Sequence, residues 1–239
     1  MVTTRRGVGA YRWELAMVAV TAVWGSTFVL VRDAVAQVPP FTFLAYRFLA
    51  AACQALLGPA GQDWTRPIPE MDWTVAEAVS HMAEGTLWYA SDLAAGERRL
   101  ETMELRVRPG TANADLVRTI GVVATVLARV IDASPAGARG WHPMGQADAS
   151  GFAAMACDEL LVHTDDAARG LGVPFTPPDG LVRATLARLF PWAPGADPWP
   201  ALLWCNGRVG LPGLARQGRW AWHCAPLEEW DGRNPADRH

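Results

Sequence analysis

The stretch ASGFAAMACDELLVHTDDAARGLG, Ala149 to Gly172, decides how this chain folds. Its run of small and apolar residues predicts a helix from about Ala149 to Arg169, closed by Gly170 and Gly172 where a helix C-terminus needs a residue free of Cβ strain. On a 100° helical wheel, Phe152, Met155, Ala156, Glu159, His163 and Ala167 share one face about 120° wide. Glu159 and His163 therefore point inward. Burying a carboxylate and an imidazole costs several kcal/mol unless something pairs with them, and residues four apart on a helix bring both heads to one point. A metal ion is the strongest available partner. A self-contained Glu–His hydrogen bond inside a bundle is the alternative, and for an isolated E-x-x-x-H it is the commoner outcome, because the spacing recurs by chance.

Working outward, the loop from Ala133 to Met144 carries Pro135, Gly137, Gly140 and Pro143. Before it, Leu116, Ile120, Val123, Leu127 and Val130 recur at steps of three and four, which predicts an amphipathic helix over Asn113 to Asp132. Further upstream, Thr74-Val-Ala-Glu77 fits a capping box that opens a helix over Val75 to Leu93. His81 lies on that helix beside Ala78 and Gly85, on the flank of a Val75/Val79/Met82 stripe. Bundles assemble metal sites from facing helices, and two histidines plus one carboxylate with an open fourth position is a recognised zinc arrangement. His81, Glu159 and His163 are thus the candidate metal ligands. No residue is assigned an acid–base, nucleophilic or cofactor-binding role.

Gly58 to Met71, GPAGQDWTRPIPEM, breaks helices and reads as a connector. Ala45 to Leu57 is Ala/Leu-rich and supplies a candidate fourth helix, while alternating β-branched stretches are nearly absent. The expected fold is all-α, a four-helix bundle. Six tryptophans fall between Trp192 and Trp230 among many prolines and glycines. They predict a compact cap with one short helix near Trp199 to Val209. Three units result: an apolar segment over 1–40, the metal-binding bundle over 41–190 and a Trp-rich extension over 191–239.

Composition narrows the function. The 239 residues are 51 % hydrophobic and carry a net charge of -3, so a phosphate backbone finds no electrostatic footprint and nucleic acid is excluded as a partner. All 21 basic residues are arginine. Without lysine, Schiff-base chemistry and P-loop phosphate binding drop out. Cys53, Cys157, Cys205 and Cys224 form no CxxC pair, which argues against thiolate zinc or a disulfide scaffold and fits a reducing, cytoplasmic setting.

The segments WTVAEAVSHMAEG (Trp73 to Gly85), GWHPMGQADASGFAAMACDELLVHTDDAARGLG (Gly140 to Gly172), LLWCNGRVGLPG and WAWHCAPLEEWDG resemble the mycothiol-dependent maleylpyruvate isomerase family, a branch of the DinB-like metal-binding bundles. The likeness runs from about residue 46 to 232. It implies a metal held by the histidine of the W-T-V-x-x-x-V-x-H helix and by the Glu and His of D-E-x-x-x-H, positions filled here by His81, Glu159 and His163. It further implies a divalent metal, zinc, with mycothiol as thiol cosubstrate and a small electrophilic molecule as substrate. Isomerase or S-transferase activity is what the family resemblance suggests.

Other residues carry open alternatives. His142 either reaches the site mouth or caps the following helix. Asp166 either orients a ligand histidine or sits exposed. Arg208, Arg219 and His223 could clamp a substrate carboxylate, although surface solvation is the simpler expectation for each. Leu15 to Val31 is a 17-residue uncharged run, at the lower limit for a membrane helix, and membrane association through residues 13–36 is one expectation. Trp24 to Phe28 and Pro39 to Phe48 resemble the opening of EamA-type transporters, but the likeness ends after about 40 residues and no later stretch matches a spanning helix. In one reading Leu15 to Val31 and Phe41 to Leu57 form a membrane hairpin. In the favoured one Ala45 to Leu57 is the first bundle helix. The rival function is a non-catalytic metal-binding or membrane-associated module.

Overall fold

The computed structural model describes residues 55, 56 and 58–238. The apolar segment, its membrane and transporter-like readings and nearly all of the Ala45–Leu57 helix lie outside the described residues. Among the described residues the chain is mainly helical, with α1 over Val75–Ala95, α2 over Asn113–Ala133, α3 over Ala149–Leu171, α4 over Asp179–Leu189 and α5 over Pro198–Cys205. Two two-residue strands, β1 (Arg139–Gly140) and β2 (Ala147–Asp148), pair antiparallel before α3. No described helix is long and apolar enough to cross a membrane.

Local chemistry sets the helix ends. At α1 the Glu77 amide donates to Thr74 Oγ1 at 3.3 Å and the Thr74 amide donates to Glu77 Oε2 at 2.7 Å, the reciprocal pair expected of a capping box, worth about 1 kcal/mol. Asp148 caps α3 by accepting from the Gly151 amide at 2.9 Å. Gly172, at φ 67°, ψ 31°, ends it in the left-handed region that glycine enters freely. β1 brings Gly140 against α1, where an added Cβ would meet Asp92 O and Leu93 Cα at 2.8 Å. Only glycine allows that approach.

α3 is buried on nearly every side and divides the core. On one side Val75, Val79 and Met82 of α1 and Leu116, Ile120 and Val123 of α2 meet Leu160, Ala167 and Leu171, with Leu56, Trp64 and Ile68 beneath. On the other, Phe152, Met155 and Leu161 meet Leu189, Phe190, Leu202 and Trp222. Each large apolar side chain so buried contributes about 1.5–3 kcal/mol. The expected helices over Val75–Leu93, Asn113–Asp132 and Ala149–Arg169 are all present, each slightly longer than predicted. The short C-terminal helix ends at Cys205, earlier than expected, because Asn206 and Gly207 turn the chain there. α4 and the small hairpin were not anticipated.

Candidate metal centre and its two clefts

Packing of α1 on α3 brings His81 over the Glu159/His163 pair. His163 Nε2 lies 3.0 Å from Glu159 Oε2 and His81 Nε2 lies 3.4 Å from the same oxygen. One ligand atom from each of the three residues falls within 4.8 Å of the others. The His81 and His163 rings meet edge to face at 5.1 Å, and Trp73 lies against both, at 4.8 and 5.5 Å between centroids. The Glu159 side chain is 11 % exposed and that of His81 41 %, so the cluster is sealed below and open on the α1 side.

The partners of these side chains fix their roles. Tyr89 Oη donates to Glu159 Oε1 at 3.1 Å. Glu159 Oε2 is buried and accepts no hydrogen bond of regular geometry, its neighbours being the two imidazole nitrogens at 3.0 and 3.4 Å. His163 Nδ1 sits 3.0 Å from Asp166 Oδ2. Asp166 also receives Arg208 Nη2 at 2.9 Å, Arg208 Nε at 3.1 Å and Arg169 Nη2. A carboxylate held by two guanidiniums can only accept, so His163 carries its proton on Nδ1 and turns Nε2 toward Glu159. Burial opposes charge on both members of this pair; the Asp166 and Glu159 carboxylates outweigh it and raise the His163 pKa to about 9, and the two imidazoles hold Glu159 well below the carboxylate range. For Asp166, burial is likewise outweighed by His163 and Arg208, leaving it at about 2. The donor set fits a divalent cation: two nitrogens and one orphaned carboxylate oxygen converge where a cation would take the place of the His163 proton.

The neighbouring carboxylate behaves differently. Asp158 faces the C-terminal extension, accepting from Asn206 Nδ2 at 3.0 Å and Trp222 Nε1 at 2.9 Å, and burial pushes it up to about 7. These bonds lay the extension on α3. Three clefts reach the cluster: one of about 610 Å³ touches His81 and Trp73 from the side of Trp64 and Asn113, and two others adjoin Tyr89 and Glu159. One of about 540 Å³ runs along α1 past His81, Gly85, Tyr89, Trp141 and His142. The other, about 200 Å³, reaches Glu159 and His163 between Trp73, Trp220 and Trp222.

The secondary candidates separate cleanly. His142 lines the cleft along α1 and does not cap α3, whose cap is Asp148. Its burial lowers its pKa to about 4. Asp166 is fully buried and orients His163. Arg208 is spent on Asp166, and Arg219 is exposed. His223 is buried in a contact with the Pro226 carbonyl at 3.0 Å. Cys157, Cys205 and Cys224 are buried free thiols, and burial pushes the last two up to about 12. Tyr89 escaped the sequence reading, although its position eight residues after His81 puts it on the same helix face. Trp73 and Asp158 escaped it too.

No curated protein and no solved structure matches the chain. Residues 45–168 match the mycothiol maleylpyruvate isomerase N-terminal domain, just over half of the sequence and all three clustered residues. The chain belongs to the mycothiol maleylpyruvate isomerase N-terminal domain family.

Proposed function

We propose that this chain is a divalent-metal enzyme, with zinc as the metal and mycothiol as the thiol cosubstrate, that isomerises a small electrophile or transfers the thiol to it. The observation that carries the reading is the convergence of His81, Glu159 and His163 on one buried oxygen that no hydrogen bond satisfies. His81, Glu159 and His163 would hold the metal, and a metal so held lowers the pKa of a coordinating thiol, supplying thiolate sulfur at neutral pH for addition to an activated cis double bond and later elimination to the trans product.

The chain's own residues prepare that chemistry. Tyr89 fixes one oxygen of Glu159 and leaves the other aimed at the imidazoles. Asp166 and Arg208 fix the tautomer and ring plane of His163. Trp73, Trp220 and Trp222 wall the smaller cleft with apolar surface and keep bulk water from the nucleophile. His142, neutral at pH 7, lines the cleft along α1.

The test supplies the full chain, loaded with zinc, with maleylpyruvate or with electrophilic thiol acceptors. Turnover is expected only when mycothiol is added. Equal turnover without any thiol supports metal-assisted hydrolysis instead.

A further inference from the structure

The loop that joins β1 to β2 carries His142-Pro143-Met144-Gly145, with proline second and glycine fourth, the pattern of a tight turn. The turn closes through the Gly145 amide, which donates to the His142 carbonyl at 2.9 Å. Inside it the Met144 amide donates to His142 Nδ1 at 3.2 Å. The buried Cys224 thiol approaches the same nitrogen at 3.8 Å, and burial pushes that thiol up to about 12, so it too keeps a proton to offer. Two donors facing Nδ1 leave no place there for a proton of its own. Burial lowers the His142 pKa to about 4 against the opposing Glu159 charge, so the ring is neutral at pH 7. Its one proton therefore sits on Nε2.

Among the described residues Nε2 meets no hydrogen-bond partner, and it is not one of the buried unpaired atoms. It opens on the cleft along α1 that His142 lines together with His81 and Tyr89. The Tyr89 ring stands 5.7 Å from the imidazole, and its hydroxyl donates to Glu159. A single side chain thus separates this N–H from the candidate metal cluster. On the other side Trp222 packs at 5.6 Å and holds the ring plane. A neutral imidazole so fixed suits an oxygen that gains negative charge during a reaction, because it stabilises the charge without giving up its proton.

We propose that His142 Nε2–H donates to the carbonyl oxygen of the electrophile, which makes the substrate class a cis-alkene conjugated to a ketone. The assignment rests on the thiol-dependent reading above and adds a catalytic residue together with the oxygen it touches. As the thiolate sulfur bonds to the alkene carbon remote from the ketone, the π pair shifts and the ketone oxygen becomes an enolate oxygen held by Nε2–H. Rotation about the former double bond follows. The pair then returns, the carbon–sulfur bond breaks and the thiolate leaves with the electrons it brought. Nothing is oxidised or reduced, and the proton stays on Nε2.

Two measurements on the full zinc-loaded chain test this. Nitrogen-15 NMR of the imidazoles needs no substrate: His142 is expected to carry its proton on Nε2 at pH 7, and a proton on Nδ1 would overturn the assignment. The second measurement is turnover of maleylpyruvate with mycothiol. His142→Phe keeps the aromatic contacts and removes the donor, so kcat should fall about 100-fold, the scale of one donor to a developing oxyanion, with zinc content and mycothiol binding unchanged. His142→Gln carries an amide N–H to the same place and should recover about tenfold, the scale of one neutral hydrogen bond. A His142→Phe kcat within about twofold of the parent value, or equal losses in the two variants, would overturn the donor while leaving thiol dependence standing. A parent chain without thiol-dependent turnover would instead remove the functional reading itself, and this assignment with it.

Discussion

Two polar clusters stand on α3, one at its N-terminal end and one near its middle, and they are built to opposite rules. At the N-terminal end Arg188 of α4 donates to Ser150 Oγ at 2.8 Å, to the His223 and Cys224 carbonyls at 3.1 and 3.0 Å, and to Asp148. Asp148 also accepts from Ser150 and Gly151. Charge is balanced there and every neighbour contributes a bond, so nothing remains for a ligand. The His81–Glu159–His163 cluster is as deeply set, yet it ends on an oxygen with no hydrogen bond. A cluster that completes itself holds the fold together; one that stops a partner short is shaped for something the chain does not supply.

The sharpest way to break that contrast is His163→Ala. Removing one ligand of a three-ligand site should take bound metal from about one equivalent per chain to near zero, and metal analysis showing no change would put both clusters in the structural class. Arg188→Ala should do the reverse. Leaving the half-buried Asp148 with only its Ser150 and Gly151 bonds costs about 1.5–3 kcal/mol in urea denaturation, with metal content per folded chain unaltered.

Arg208→Ala sits between these extremes, because it touches no ligand and still loosens the carboxylate that aims His163. Its expected cost is about 10–100-fold in metal affinity, read by competition with a chelator; a loss of stability without any loss of affinity would mean that Arg208 belongs with Arg188. The smallest effect concerns pH. Hydrogen bonds from Ser150 and Gly151 and the Arg188 charge outweigh burial and lower the Asp148 pKa from its ordinary 3.8. A lowered folded pKa means the stabilisation is complete above the unfolded value and fades as pH falls through about 4 toward the folded one. The stability gap between the parent chain and Asp148→Asn should therefore be larger at pH 7 than at pH 3.5. A gap independent of pH would show that the Asp148 charge contributes nothing.

Legibility in the sequence followed the range of the interactions involved. The ends of α1 and α3 are set by residues three or four apart, Thr74 with Glu77 and Gly172 with Ala168, and local reading reached them. The inward aim of Glu159 and His163 followed from helical period alone, and His81 from its place on a second amphipathic helix. α4 was missed because its apolar positions, Leu181, Val182, Thr185 and Leu189, span barely three turns after a proline-rich stretch, too few for a periodic signal. Arg208 was expected at the solvated surface, with a substrate clamp as the alternative, and neither reading found its partner Asp166, 42 residues away. Nothing local distinguishes an arginine facing solvent from one facing a buried carboxylate.

The salt link from Arg208 to Asp166 also bears on how this protein can be taken apart. The family match ends at residue 168, past the last candidate ligand, while the guanidinium that steadies His163, the amide of Asn206 and the indole of Trp222 all come from beyond it. The segment inherited as a recognisable unit is thus shorter than the segment that sets the geometry of the cluster. Grafting residues 45–168 onto a foreign C-terminal half would transplant the three ligands without their alignment, and a relative with a different tail must recruit its own counter-charge for Asp166 or let that histidine swing.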